Sequence, residues 1–282
     1  MNILMVGAGK GSWEMRGLQL GAALGARVVR DPSDSDLRWA DMIVLIKRAI
    51  LTQRVRAVQS GKPIVWDALD FWTQPFQNDL SQLSACAVLK SWQRDVTLTV
   101  GATAAMAQSA GNGFYLPHHG HAGLHPTDAR PECRVVGYDG NPIYLDWWSP
   151  VLRDACARRG WSFVINPPDL SAVDILVSLR GGIWDGWMCR EWKSGVKIVN
   201  AILAGRPILT QDCAAARELQ PDGMVIETAS DLNLAPDEWA DVERRAATVE
   251  RSQRVAPLFA LPAIAQAYRL RLEALCAQGV LQ

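Results

Sequence analysis

The sequence predicts an α/β protein of two Rossmann-like domains facing each other across a cleft. Three observations carry this. Short apolar runs alternate with helix-forming stretches from the N-terminus to residue 116, the pattern of right-handed βαβ units that build a parallel sheet covered on both faces. The alternation stops between Pro117 and Glu132, where four histidines, three prolines and two glycines accumulate, and then begins again. A length of 282 residues suits two compact units.

The first element is residues 2–6, an apolar strand ending in Gly7, Gly9 and Gly11, with Ser12 where a helix N-cap would stand. A helix over 13–24 stops at Gly25, and strands follow at 27–29, 42–46 and 63–66. A weak strand at 87–89, a strand at 97–100, a small-residue helix at 102–110 and a strand at 113–116 complete the first half. Beyond the linker, strands at 134–138, 162–165, 174–178, 207–210 and 224–226 alternate with helices near 152–159, 197–204 and 214–218. From Pro236 onward the composition is helical, with interruptions expected at Pro257 and Pro262.

Composition narrows the function. Hydrophobic residues make up 49% and charged residues 21%, so a buried core is attainable and wholesale disorder is excluded. Basic and acidic side chains number 29 each, so no global field draws the chain to nucleic acid or membrane. Six cysteines without a C-x-x-C pair argue against a zinc site or a disulfide framework and suit buried thiols in a reducing cytoplasm. The N-terminus lacks a basic n-region and a long apolar run, so it reads as a strand; no membrane span is expected, and a cytoplasmic location is.

Several residues carry candidate chemistry. The loop of Gly9, Gly11 and Ser12 follows a strand and opens a helix, where backbone N–H groups favour an anion or the glycines serve packing alone. Its G-x-G-x-G spacing, and a second strand ending at Arg30 rather than an acid, disfavour a nicotinamide enzyme. Lys193, Ser194 and Lys197 flank a helix N-terminus, where the macrodipole opposes cations, so an anion between lysines and helix explains them better than a solvated face. A diphosphate is the natural choice. Arg180 closes a strand before Gly181 and Gly182 and meets a phosphate or forms a surface turn. Asp67 and Asp70 follow a strand at the sheet's carboxyl end, placed for general base work or for helix capping. The four histidines show no repeated ligand spacing, so a hinge loop facing the cleft is preferred to a metal site, with His118 or His119 touching a substrate.

Residues 197–207 (KIVNAILAGRP), with Glu218 just before Pro221, Asp222 and Gly223, resemble the donor-binding helix of glycosyltransferase-B enzymes, with its K-x-x-E-A-x-A-x-G-x-P pattern. Residues 67–72 resemble the paired-Asp segment of many such proteins, and residues 115–120 resemble their interdomain strand end. The paired glutamates of the large retaining family would fall at Trp192 and Asn200, and neither position is acidic. The resemblance implies a nucleotide-sugar donor and no bound metal, without naming the sugar or the stereochemistry; UDP-glucose is the favoured co-substrate, and no tightly bound cofactor is expected. It implies donor contacts at Gly9, Gly11, Ser12, Arg180, Lys193, Ser194, Lys197, Asn200 and Glu218. Asp70, Asp67 and His118 are the candidate catalytic groups, and Arg16, Lys47, Arg48 and His119 the candidate acceptor contacts.

The expected units are an acceptor-side domain over 1–125, a donor domain over 126–255 and a helix over 256–282 that packs back on the first domain. Two acceptor classes stand open. A saccharide or small molecule suits the neutral charge, and a hydroxymethylated pyrimidine, as in phage DNA-glucosyltransferases, suits the basic run of Lys47, Arg48, Arg54, Arg56 and Lys62. Other classes are a nucleotide-sugar epimerase, which would show a Tyr-x-x-x-Lys pair that the four tyrosines do not supply, and a two-lobed binding protein.

Overall fold

A computed structural model of the chain describes residues 1–47, 49–70, 82–146, 148–219, 226–228 and 239–277. Strands β1 (Ile3–Gly7), β2 (Arg27–Val29), β3 (Met42–Ile46), β4 (Ile64–Leu69), β5 (Leu98–Gly101) and β6 (Gly113–Tyr115) form one parallel sheet in the order β2-β1-β3-β4-β5-β6. Strands β7 (Val135–Tyr138), β8 (Ser162–Ile165), β9 (Ile175–Ser178), β10 (Ile208–Thr210) and β11 (Ile226–Thr228) form a second, in the order β11-β10-β9-β7-β8. The winding reverses between β1 and β3 in the first sheet and between β7 and β9 in the second. Parallel doubly wound sheets open a crevice at the carboxyl ends of their strands at such a reversal. Both crevices border the same space.

Every residue of β1, β3 and β4 is buried, which is why β1, β3 and the start of β4 read as continuous apolar runs instead of alternating ones; β4 extends past the expected 63–66 to Leu69, so the buried Asp67 lies inside the strand and not after it. The helix after β1 begins with wide π-helical turns over Trp13–Gln19 and continues as α-helix over Leu20–Leu24. Residues 87–89, expected as a strand, lie inside the helix Gln82–Trp92: a short apolar run fits a buried helix face as well as a strand. The helix expected over 102–110 is Ala104–Ala110, because Thr103 is its N-cap and accepts from the Met106 N–H at 3.2 Å. The last expected strand, 224–226, is β11, and residues 224 and 225 lie outside the described residues.

The linker threads along the second sheet's helices. Asn200 Oδ1 accepts from the His121 N–H at 3.0 Å, and Arg206 Nη1 donates to the Thr127 carbonyl at 2.9 Å. After the helix Val242–Val255 a short 3-10 turn, Ala256–Phe259, contains Pro257. Pro262 interrupts nothing, since it occupies the first turn of Leu261–Ala277, where its missing N–H is not needed. That helix lies on the first sheet. Ile264, Tyr268, Leu272 and Leu275 share a core with Ile3, Met5, Leu20 and Val44, and Arg269 Nη2 donates to the Leu24 carbonyl at 2.6 Å. No helix among the described residues is long and apolar enough to cross a membrane.

Candidate active site

The carboxyl ends of the two sheets enclose a cavity of about 240 Å³. Gly11 and Ser12 after β1, Lys47 after β3, Leu69 and Asp70 at the end of β4, and His118 from the linker line its first side. Gly140 and Asn141 after β7, Arg180 after β9, Gln211 after β10 and the Lys193–Ile198 segment line the other.

The second side is built for an anion. The helix Val196–Ala204 starts at Gly195 with no side-chain cap, so its first N–H groups are open to a ligand. Lys197, in its first turn, donates to the Asp139 carbonyl and stands 3.8 Å from the centre of the Tyr138 ring. Burial, aided by the charge of Arg180, lowers the Lys197 pKa to about 7. Gly140 makes room for it: at φ +138° a side chain there is strained, and a Cβ would collide with Lys197 Nζ. Arg180 stacks its guanidinium over Tyr144 at 4.7 Å, and its buried Nη1 has no hydrogen-bond partner among the described residues. The Arg180 main chain is fixed by the Gln211 amide, which accepts from its N–H at 2.7 Å and donates to its carbonyl at 2.9 Å.

The first side presents a carboxylate and an imidazole. Asp70, 3% exposed, forms ion pairs with Lys47 and Lys193, and Ser194 Oγ donates to it at 3.4 Å. Burial alone would raise its pKa, but the charges of Lys193 and Lys47 outweigh burial and hold the carboxyl well below its usual range. Positive φ at Lys47 (39°) and Leu69 (59°) turns the chain sharply where β3 and β4 meet the cavity, in a region non-glycine residues seldom occupy. His118 donates from Nδ1 to the His119 carbonyl at 2.8 Å, which leaves Nε2 as an acceptor. Burial and the charge of Arg16 push its pKa well down, so the ring is neutral.

Several residues expected at the site do other work. Asp67 is fully buried, 4.0 Å from the buried Arg16, and does not line the cavity. Arg16 donates to the Leu116 and Pro117 carbonyls at 2.8 and 3.1 Å, so it braces the start of the linker and does not meet an acceptor. His119 is buried, its Nε2 3.1 Å from Gln19 Oε1, and burial with the Arg16 charge lowers its pKa to about 3. Asn200 bonds Asp139 and His121 behind the lining. Glu218 accepts from the Ala104 and Ala105 N–H groups at 2.8 and 3.2 Å, capping a helix of the first half from the second. Gly9 lies outside the lining, and Arg48 lies outside the described residues. Gly11, Ser12, Lys47, Asp70, His118, Arg180, Lys193, Ser194 and Lys197 meet at one cavity. Asn141, Tyr144 and Gln211 also line it; each lies just beyond β7 or β10, so the carboxyl-end rule would have found them. Among the described residues no group of three or more His, Cys, Asp or Glu is placed to hold a metal ion.

No protein-family model matches the chain, and no curated protein matches it in sequence. Solved structures do. Anabaena HepE in complex with UDP and glucose superposes with a TM-score of 0.69 at 14% identity, over 97% of this chain and 100% of that one. AviGT4, a glycosyltransferase involved in avilamycin A biosynthesis, gives 0.57 at 12% over 99% of each chain. The apo form of the lipopolysaccharide outer core galactosyltransferase WaaB gives 0.54 at 11%, over 97% of this chain and 99% of that one. The chain has the α/β fold, with parallel sheets, of the glycosyltransferase-B structures.

Proposed function

We propose that this chain is a glycosyltransferase that moves a hexose from a nucleoside diphosphate sugar, UDP-glucose first among the donors, to an acceptor hydroxyl. One observation carries the reading: the buried unpartnered Nη1 of Arg180, the Lys197 ammonium and the uncapped N-terminus of Val196–Ala204 converge on one cavity. Three such donors suit a diphosphate that gains charge as it leaves. The cations then do the work that a metal does elsewhere, so transfer is independent of added divalent ions.

In this reading the unit over 126–255 holds the donor, the unit over 1–125 receives the acceptor, and the C-terminal helix of the 256–282 segment packs back on the acceptor unit. HepE, of similar length, is seen with UDP and glucose, which supports the same donor here. Asp70 is the base if the transfer inverts, with His118 beside it. The acceptor is a saccharide or small molecule. A DNA acceptor would need free cations on the 47–62 segment, yet Arg54 pairs with Asp95 at 3.8 Å and Arg56 with Asp34 at 2.6 Å, while Lys47 pairs with Asp70.

The test is a panel of UDP-, dTDP- and GDP-sugars scored by thermal shift and by release of nucleoside diphosphate. A UDP-sugar should raise the melting temperature and release UDP. No shift and no release with any donor would overturn the reading.

A further inference from the structure

We propose that Lys193 is a positioning residue exchanged between Asp70 and the donor's diphosphate, so that Asp70 can take the acceptor proton only after the donor is seated. The inference rests on the donor site proposed above and on an inverting transfer with Asp70 as base, and adds a coupling between the two sides of the site.

Lys193 and Ser194 belong to the second half, in the loop that opens the helix Val196–Ala204. Asp70 belongs to the first, at the end of β4. The pair they form therefore spans the cleft. It is well shielded, with the side chains of Asp70 and Lys193 only 4% and 17% exposed, so a competing anion acts on it through a poorly screened field. The same loop runs straight into the uncapped helix N-terminus, and Gly195, Val196 and Lys197 line the cavity. An anion seated there is a rival for Lys193 with about twice the charge of a carboxylate.

The other charged or titratable groups around Asp70 do not change partner in this event. Lys47, after β3, lies on the same side of the cleft as Asp70. His118, from the linker, is neutral. Arg16 is held by the Leu116 and Pro117 carbonyls beside the buried Asp67. Lys193 is thus the positive charge that a donor can draw away from Asp70. With Lys193 gone to the diphosphate, the carboxylate regains basicity. The acceptor's O–H proton then passes to Asp70 as the acceptor oxygen bonds to the anomeric carbon. The bond from that carbon to the β-phosphate oxygen breaks, and its electron pair leaves with the diphosphate.

Titration calorimetry with UDP and with inorganic pyrophosphate tests the exchange. Asp70→Asn frees Lys193, so both probes should bind about tenfold tighter while transfer falls by roughly 10²-fold or more. In the wild type the acidic limb of kcat, which reports the donor complex, should lie at higher pH than that of kcat/KM for the donor, which reports free enzyme. Lys193→Met keeps the Asp70–Lys47 pair and guards against a fold defect in the first variant; it should weaken UDP about tenfold and bring the two limbs together. Unchanged or weaker UDP binding in Asp70→Asn, or coincident limbs in the wild type, would overturn the exchange and leave the donor site standing. Tight pyrophosphate binding that obeys the exchange, with no binding of any nucleotide, would instead remove the nucleotide-sugar reading and leave the exchange intact.

Discussion

At the scale of the residue, Asp67 within β4 and Asp70 just after it show what a sequence can and cannot place. They are three positions apart, and side chains along a strand alternate between faces, so Asp67 and Asp70 cannot share one. The register shift between Asp67 and Leu69, with φ +59° at Leu69, then turns Asp70 into the cavity while Asp67 does not line it. The spacing was legible; the turn was not, because Leu is a poor marker of a left-handed residue. Arg180→Ala removes an Nη1 with no hydrogen-bond partner among the described residues, together with the stacking on Tyr144, so UDP should bind more weakly by about 1.5–3 kcal/mol while the fold loses only about 0.5–1 kcal/mol. Calorimetry with a parallel melt checks both halves of this expectation. Lys197 supplies a pH dependence. Its pKa is lowered to about 7 in the folded protein, below its unfolded value, so the folded state binds fewer protons and the ligand-free protein gains stability as pH rises from about 7 towards 10. UDP favours the charged form and should bind with proton uptake and weaken as pH rises above 7. Calorimetry in buffers of different ionisation enthalpy reads the uptake, and Lys197→Met should abolish it.

Elements were legible where burial is simple. The continuous runs of β1 and β3, and the Lys197 helix ending at Gly205, follow from period and punctuation alone. Contacts between elements far apart in sequence were not. Glu218 sits 114 positions from Ala104, whose N–H it accepts, and nothing in the local pattern distinguishes a helix cap from a donor contact. Its carboxylate faces the positive end of Ala104–Ala110 across the two halves, so Glu218→Ala should cost roughly 1 kcal/mol in a denaturant titration and leave the UDP affinity near wild type. A large loss of affinity with unchanged stability would return Glu218 to the donor site. The contact between Ala104–Ala110 and β6 is tighter still. A Cβ on Gly113 would come 1.8 Å from the Ala107 carbonyl oxygen, and that oxygen belongs to a helix backbone that cannot step aside. Gly113→Ala should therefore destabilise the fold by about 3 kcal/mol or more, visible as a lower midpoint of urea unfolding.

For the whole molecule, two sheets present their carboxyl ends to one cavity, and in the basic 47–62 segment Lys47, Arg54 and Arg56 are paired with Asp70, Asp95, Asp31 and Asp34. Transfer to a saccharide should then change little between 50 and 200 mM salt. A surface that tracks DNA phosphates would lose about 10³–10⁵ in affinity over that range, so a steep slope would restore the DNA acceptor. The return of the helix Leu261–Ala277 to the first sheet has a consequence for synthesis. One face of that sheet, with Ile3, Met5, Val44, Val65 and Val100, is covered by Tyr268, Leu272 and Leu275. On the ribosome those strands emerge first and wait for their cover until the helix has followed some 150 residues later, after the entire second sheet. The first sheet is thus the earlier half to be made and the later half to be completed, and a nascent chain arrested before residue 261 should bind ribosome-associated chaperones through an apolar face that the released protein does not show.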